Sequence, residues 1–161
     1  MATKKTPTTS TKKKTGKTKA ITKDTIISAY MEYVLINEKT PKSIYKFAKE
    51  HGMTEADFYK FFGSFESLQQ GIWTAFFDNA MKLGQKNPEY ATFNNQEKML
   101  TFFFVFFELL TANRSYVMFA LKEHGDMMKN LSQLKSLRSH IKEFAAGLIE
   151  QKNEEKSFKI L

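Results

Sequence analysis

From residue 22 onward, apolar residues recur every three or four positions, the spacing of one face of an α-helix. Thr22 and Asp24 are caps for a first helix whose apolar face is Ile26, Ala29, Tyr30, Tyr33 and Val34. Asn37, Glu38 and Lys39 interrupt that face. Thr40 followed by Pro41 predicts a restart, with proline at the first helical position. This second helix turns Ile44, Phe47 and Ala48 inward and stops at Gly52, a glycine C-cap. Thr54, with Asp57 three residues on, predicts the capping box of a third helix whose buried stripe is Phe58, Phe61 and Phe62. Gly63 and Ser64 break it, and a long fourth helix follows over Phe65–Gln85.

After a loop through Asn87 and Pro88, Asn94 or Asn95 caps a fifth helix reaching Thr111. A sixth is predicted over Arg114–Glu123, ending at His124 and Gly125, and a seventh over 126–152 with Asp126 as its cap. Residues 153–161 are charged and then turn apolar at Phe158, Ile160 and Leu161. The fold class is all-α. Two short helices joined by a glycine-containing turn, behind one supporting helix, define a helix-turn-helix. The predicted organisation is a tail over 1–21, a helix-turn-helix unit over 22–68, and a helical C-terminal domain over 69–161 reached through the long fourth helix.

Charge changes this picture at one end. Residues 1–23 hold eight lysines and no acid, and the other 17 basic residues balance 17 acidic ones. The net charge of +8 therefore belongs to residues 1–23, nearly all of it to the tail. Residues 1–21 are almost entirely Lys, Thr, Ser, Gly, Pro and Ala, too polar to offset their ordering entropy, so disorder is expected. Lys12, Lys13, Lys14, Lys17 and Lys19 suit either an arm condensing on nucleic-acid phosphates or a solubilising leader. The chain has no cysteine, which excludes disulfides and thiolate metal sites and makes a reducing cytoplasm the expected compartment. The most apolar run, 99–110, falls short of the roughly 20 residues of a bilayer span, so stable membrane insertion is not expected.

The segment Ser43-Ile44, Phe47-Ala48, Gly52-Met53-Thr54, Phe58-Tyr59, Phe62, Ser64, Glu66 and Leu68 resembles the N-terminal signature of the TetR family of regulators. The family order is a Thr/Ser–aliphatic pair, Ile-Ala, Gly-Val-Ser, Leu-Tyr, Phe, then Ser-Lys-Glu and Leu. The spacing fits without gaps from Ser43 to Leu68, Ile26 and Ala29 fit the first helix, and the resemblance covers roughly residues 24–75. It implies a third helix set into the major groove and a C-terminal domain supplying a ligand cavity and a dimer interface. It places Lys42, Ser43, Thr54, Glu55, Asp57, Tyr59 and Lys60 against duplex DNA. The departures fall on that face: Ala56-Asp57 replaces the family's Gly-Thr, Phe61 its His, and Phe65 its Lys. Glu55 adds a further negative charge. An acid can accept a hydrogen bond from cytosine, but near phosphates it repels.

The second half is aromatic. Phe103, Phe106, Phe107 and Leu110 follow helical spacing, and Phe102, Phe104 and Val105 cover other sides of the same predicted helix. An all-round apolar helix is expected to be buried on several faces. Phe102, Phe103, Phe106, Phe107, Leu110, Tyr116, Phe119 and Met127 are read either as plain core or as the lining of a pocket for an elongated apolar molecule, an acyl chain or quinone-like lipid. Glu108 and Arg114 are candidate polar groups at its edge. The TetR fold is shared by a lipid-binding family of ubiquinone biosynthesis, so the resemblance admits two functions. One is a DNA-binding regulator with an apolar effector. The other is a lipid- or quinone-binding accessory protein that no longer reads DNA.

Catalysis is not expected. His51, His124 and His140 are scattered, and neither a phosphate loop nor a nucleophile motif is present. The pattern calls for no metal and no cofactor. Family members usually carry two further helices for dimerisation, so the chain is expected to be a homodimer-forming protein cut short at Leu161.

Overall fold

The computed structural model describes residues 20–123 and 131–158, with the side chains of residue 123 and of 152–158 excepted. The tail lysines Lys12, Lys13, Lys14, Lys17 and Lys19, and also His124, Asp126 and Met127, lie outside the described residues. The elements are α1 (Lys23–Asn37), α2 (Ile44–Glu50), α3 (Glu55–Tyr59), α4 (Phe65–Gln85), a 3-10 turn (Tyr90–Thr92), α5 (Asn95–Ala112), α6 (Arg114–Glu123) and α7 (Lys135–Phe158). Among the described residues there is no strand. The all-α reading holds.

The starts of α1 to α5 follow from a side-chain oxygen meeting the orphan N–H groups of the first turn. Thr22 caps α1 and Thr25 returns the bond. Thr54 and Asp57 form the expected box at α3, Ser64 and Ser67 one at α4, and Asn94 and Glu97 one at α5. Glycine ends the second helix as expected: Gly52 sits at φ 68°, a left-handed conformation that costs it nothing. Glu38 adopts φ 50° at the end of α1, where an L side chain is strained.

Three expectations are corrected. The second helix starts at Ile44 rather than at Pro41, because Ser43 has the extended backbone and the hydroxyl, accepting from Lys46 N–H at 3.4 Å, that cap it. Pro41 is buried in the connection instead. The third helix is only five residues long and its buried pair is Phe58 and Phe62, leaving Phe61 41% exposed. The last helix runs through Phe158, six residues beyond the predicted end. Residues 153–157 contain neither Gly nor Pro and are mostly good helix formers, so their charge does not end it.

α4 is the central element. It packs against α5 and α7, while α1 packs on α6 and α4. One buried apolar cluster runs from Ile26, Tyr30 and Val34 through Phe58, Leu68, Ile72, Trp73 and Phe77 to Phe102, Tyr116 and Leu137. The first three helices therefore share their core with the second half. Among the described residues two polar side chains are buried, Gln69 on α4 and Gln133 in the helical stretch 131–133 just before α7.

Candidate functional site

Rings from α1, α2, α3 and the start of α4 pack against one another. Phe47 of α2 lies 6.3 Å from Tyr30, 6.2 Å from Phe58 and 5.7 Å from Phe65, mostly edge to face. Phe65 also stands 5.6 Å from Phe58 and 5.8 Å from Tyr30. Such pairs add to the stabilisation from burial alone. Phe65, one of the departures from the TetR signature, thus has a packing role, completing an aromatic box behind α3. The sequence carried the signal in aromatics at 30, 47, 58 and 65 on four successive elements.

The predicted duplex-facing residues surround α2 and α3. Lys42, Thr54, Tyr59 and Lys60 are exposed, and Ser43, Glu55 and Asp57 are half-buried. Several are already engaged. The Ser43 hydroxyl caps α2. Asp57 Oδ2 accepts from Thr54 N–H at 3.0 Å and Thr54 Oγ1 at 2.7 Å, and its Oδ1 accepts from Lys60 Nζ at 2.8 Å. Lys60, followed by Thr54, holds the Asp57 carboxyl well below the usual carboxylate range. The cation at position 60 is therefore matched locally. Across residues 22–68 there are six lysines against seven acidic residues, so the unit has no positive excess of its own. Tyr45 and Phe61 are exposed, as is Tyr59, and Lys49 Nζ lies 5.9 Å above the Tyr45 ring.

In the second half, Phe102 stacks on Phe106 at 5.5 Å and meets Phe77 at 5.2 Å and Phe144 at 5.4 Å. Phe77 in turn contacts His140 at 5.4 Å. Of the predicted lining, Phe102, Phe106 and Tyr116 are buried, Phe103, Leu110 and Phe119 half-buried, and Phe107 is 60% exposed. The rings fill one another's space around Phe102. α5 is not covered on all sides: Leu100, Phe104 and Phe107 form an exposed stripe on it, against the expectation of burial on several faces. Phe119 lines a cleft of about 590 Å³ with Val34, Leu35, Glu38, Ser115 and Lys122, where α1 meets α6. A second cleft, about 440 Å³, lies along the exposed side of α5 beside Leu83, Phe93, Leu100 and Phe104. Glu108 and Arg114 are exposed and line neither cleft.

Among the described residues no group of three His, Cys, Asp or Glu side chains could hold a metal ion. No single described helix is long and apolar enough to cross a membrane; α5 and α6 reach that length and apolarity only together, and they are bent by 83°.

Residues 98–161 match the family model of a tetracyclin repressor-like C-terminal domain, a stretch running from the first turn of α5 to the chain's last residue. The second half of the chain is thus similar to the C-terminal domain of such regulators, which supports membership of the TetR family. No curated protein and no solved structure matches the chain.

Proposed function

We propose that this chain is a TetR-like, cytoplasmic, homodimeric transcriptional regulator that binds duplex DNA and responds to an apolar effector. The observation carrying the reading is that two separate stretches point to one family: the helix-turn-helix over 43–68 and the C-terminal match over 98–161. Tyr59 and Thr54 on and beside the short third helix, and Lys42 before α2, are exposed, which supports their approach to a groove. The seven lysines of residues 1–21 supply the attraction that the head's own charge does not. The cleft bearing Phe119 and the half-buried Phe103 and Leu110 are the effector's candidate contacts.

A second reading has its own support. The matched Lys60 and the absence of positive excess over 22–68 favour a lipid- or quinone-binding accessory protein that uses the head as a scaffold. Duplex binding across a salt series separates them, on the upstream region of the protein's gene and on random sequence, with and without residues 1–21. A regulator keeps a sequence preference after tail removal. Binding that is unspecific, steeply salt-dependent and lost with the tail rejects the regulator and directs the search to co-purifying lipids.

A further inference from the structure

Trp73 donates its indole N–H to Gln133 Oε1 at 3.1 Å. An indole can only donate, so this bond fixes which end of the Gln133 carboxamide faces Trp73. Gln133 Nε2 then donates to Gln69 Oε1 at 3.4 Å, and Gln69 Nε2 donates to the Tyr30 hydroxyl at 2.8 Å. The whole chain runs in one direction. Each carboxamide nitrogen carries two hydrogens and uses one of them in this chain. The second finds no acceptor among the described residues, although Gln69 and Gln133 are only 7% and 6% exposed. A buried N–H without an acceptor is costly, and such groups ordinarily find one.

Both glutamines line a cleft of about 290 Å³ between the loop before α2, the first turns of α4, and residues 132 and 133. Pro41 and the Phe65 ring give it apolar walls, and exposed Glu66 and Ser132 stand at its rim. We propose that this cleft binds a small planar carboxamide or lactam. The ligand's carbonyl oxygen accepts from the two spare glutamine N–H groups, its ring or plane lies against Phe65, and its own N–H donates to the Glu66 carboxylate. An apolar molecule leaves the N–H groups unmet, and an anion meets Glu66, so the site differs in chemistry from an apolar effector site. It stands whether or not the head reads DNA.

Trp73 is the single tryptophan, so its indole N–H resonance reports on the end of this chain in the full-length protein. Nicotinamide and uracil are titrated into ¹⁵N-labelled protein, with acetate as the anionic control. The expected result is a saturable shift of that resonance with either amide and none with acetate. Glu66→Ala should weaken the affinity about tenfold, the worth of one hydrogen bond to a charged group. Ser132→Phe, an exposed position whose new ring fills the cleft, should abolish the response while the spectrum stays folded. Absence of a saturable shift with both amides, an equal shift with acetate, or a response unchanged in Ser132→Phe overturns the proposal.

Discussion

Asp57 serves two structures at once, closing the α3 capping box and pairing with Lys60. Because its folded pKa is lowered, its stabilisation is present above the ordinary carboxylate range, about 4, and is lost as pH falls below it. Urea unfolding of Asp57→Asn between pH 3 and 7 should accordingly show a shallower loss on the acid side than the parent. The same variant releases Lys60. If the head docks on DNA, the slope of log K on log salt should steepen by about 0.9, one added phosphate contact. An unchanged slope would mean that position 60 faces no phosphate. Backbone strain gives a second residue-scale expectation. Glu38→Gly relieves a left-handed side chain and should stabilise by about 0.5–1 kcal/mol, whereas Gly52→Ala creates such strain and should destabilise by about 1–2 kcal/mol. Chemical denaturation reads both.

At the scale of elements, the caps were legible from sequence because capping depends on a residue and its neighbour three positions on. Thr54 with Asp57, and Asn94 with Glu97, needed no tertiary information. Pro41 misled because its value at a helix start competes with burial, which only the packed chain decides. The faces of α5 were harder still. Phenylalanine stands at five of six positions from Phe102 to Phe107, so periodicity does not say which side meets α4. The answer is the side of Phe102 and Phe106, with Phe104 and Phe107 outward. Phe102→Ala should therefore cost about 3–5 kcal/mol and Phe104→Ala less than about 0.5 kcal/mol, measured by urea titration. The candidate site was legible in part for the same reason. The resemblance from Ser43 to Leu68 singled out the positions proposed to face a duplex, but the pairing of Asp57 with Lys60 and the Tyr30–Gln69–Gln133–Trp73 chain required distances. Glutamines 64 residues apart give no local signal.

Taken whole, the described chain has one core that does not stop at the end of α3. Thermal unfolding should therefore be a single transition, with Trp73 fluorescence and far-UV circular dichroism coinciding. Two separated melting steps would show that the head comes apart on its own. The exposed Leu100, Phe104 and Phe107 of α5, with Met118 of α6 and Ile149 of α7, leave apolar surface that a homodimer would cover. Sedimentation at increasing concentration tests that, and a monodisperse monomer would reject it.

The packing of α1 on α6 has a consequence in time rather than in energy. α4 and α5 are neighbours in sequence and meet across a short connection, so they can pair as soon as both exist. α1 must wait for a partner made much later, and closing so long a loop is entropically slow. On the ribosome, then, α1 is made early but is buttressed late. Chains arrested before α6 should hold a head whose outer helix still opens and is readily cut by protease, while completion of α6 closes it.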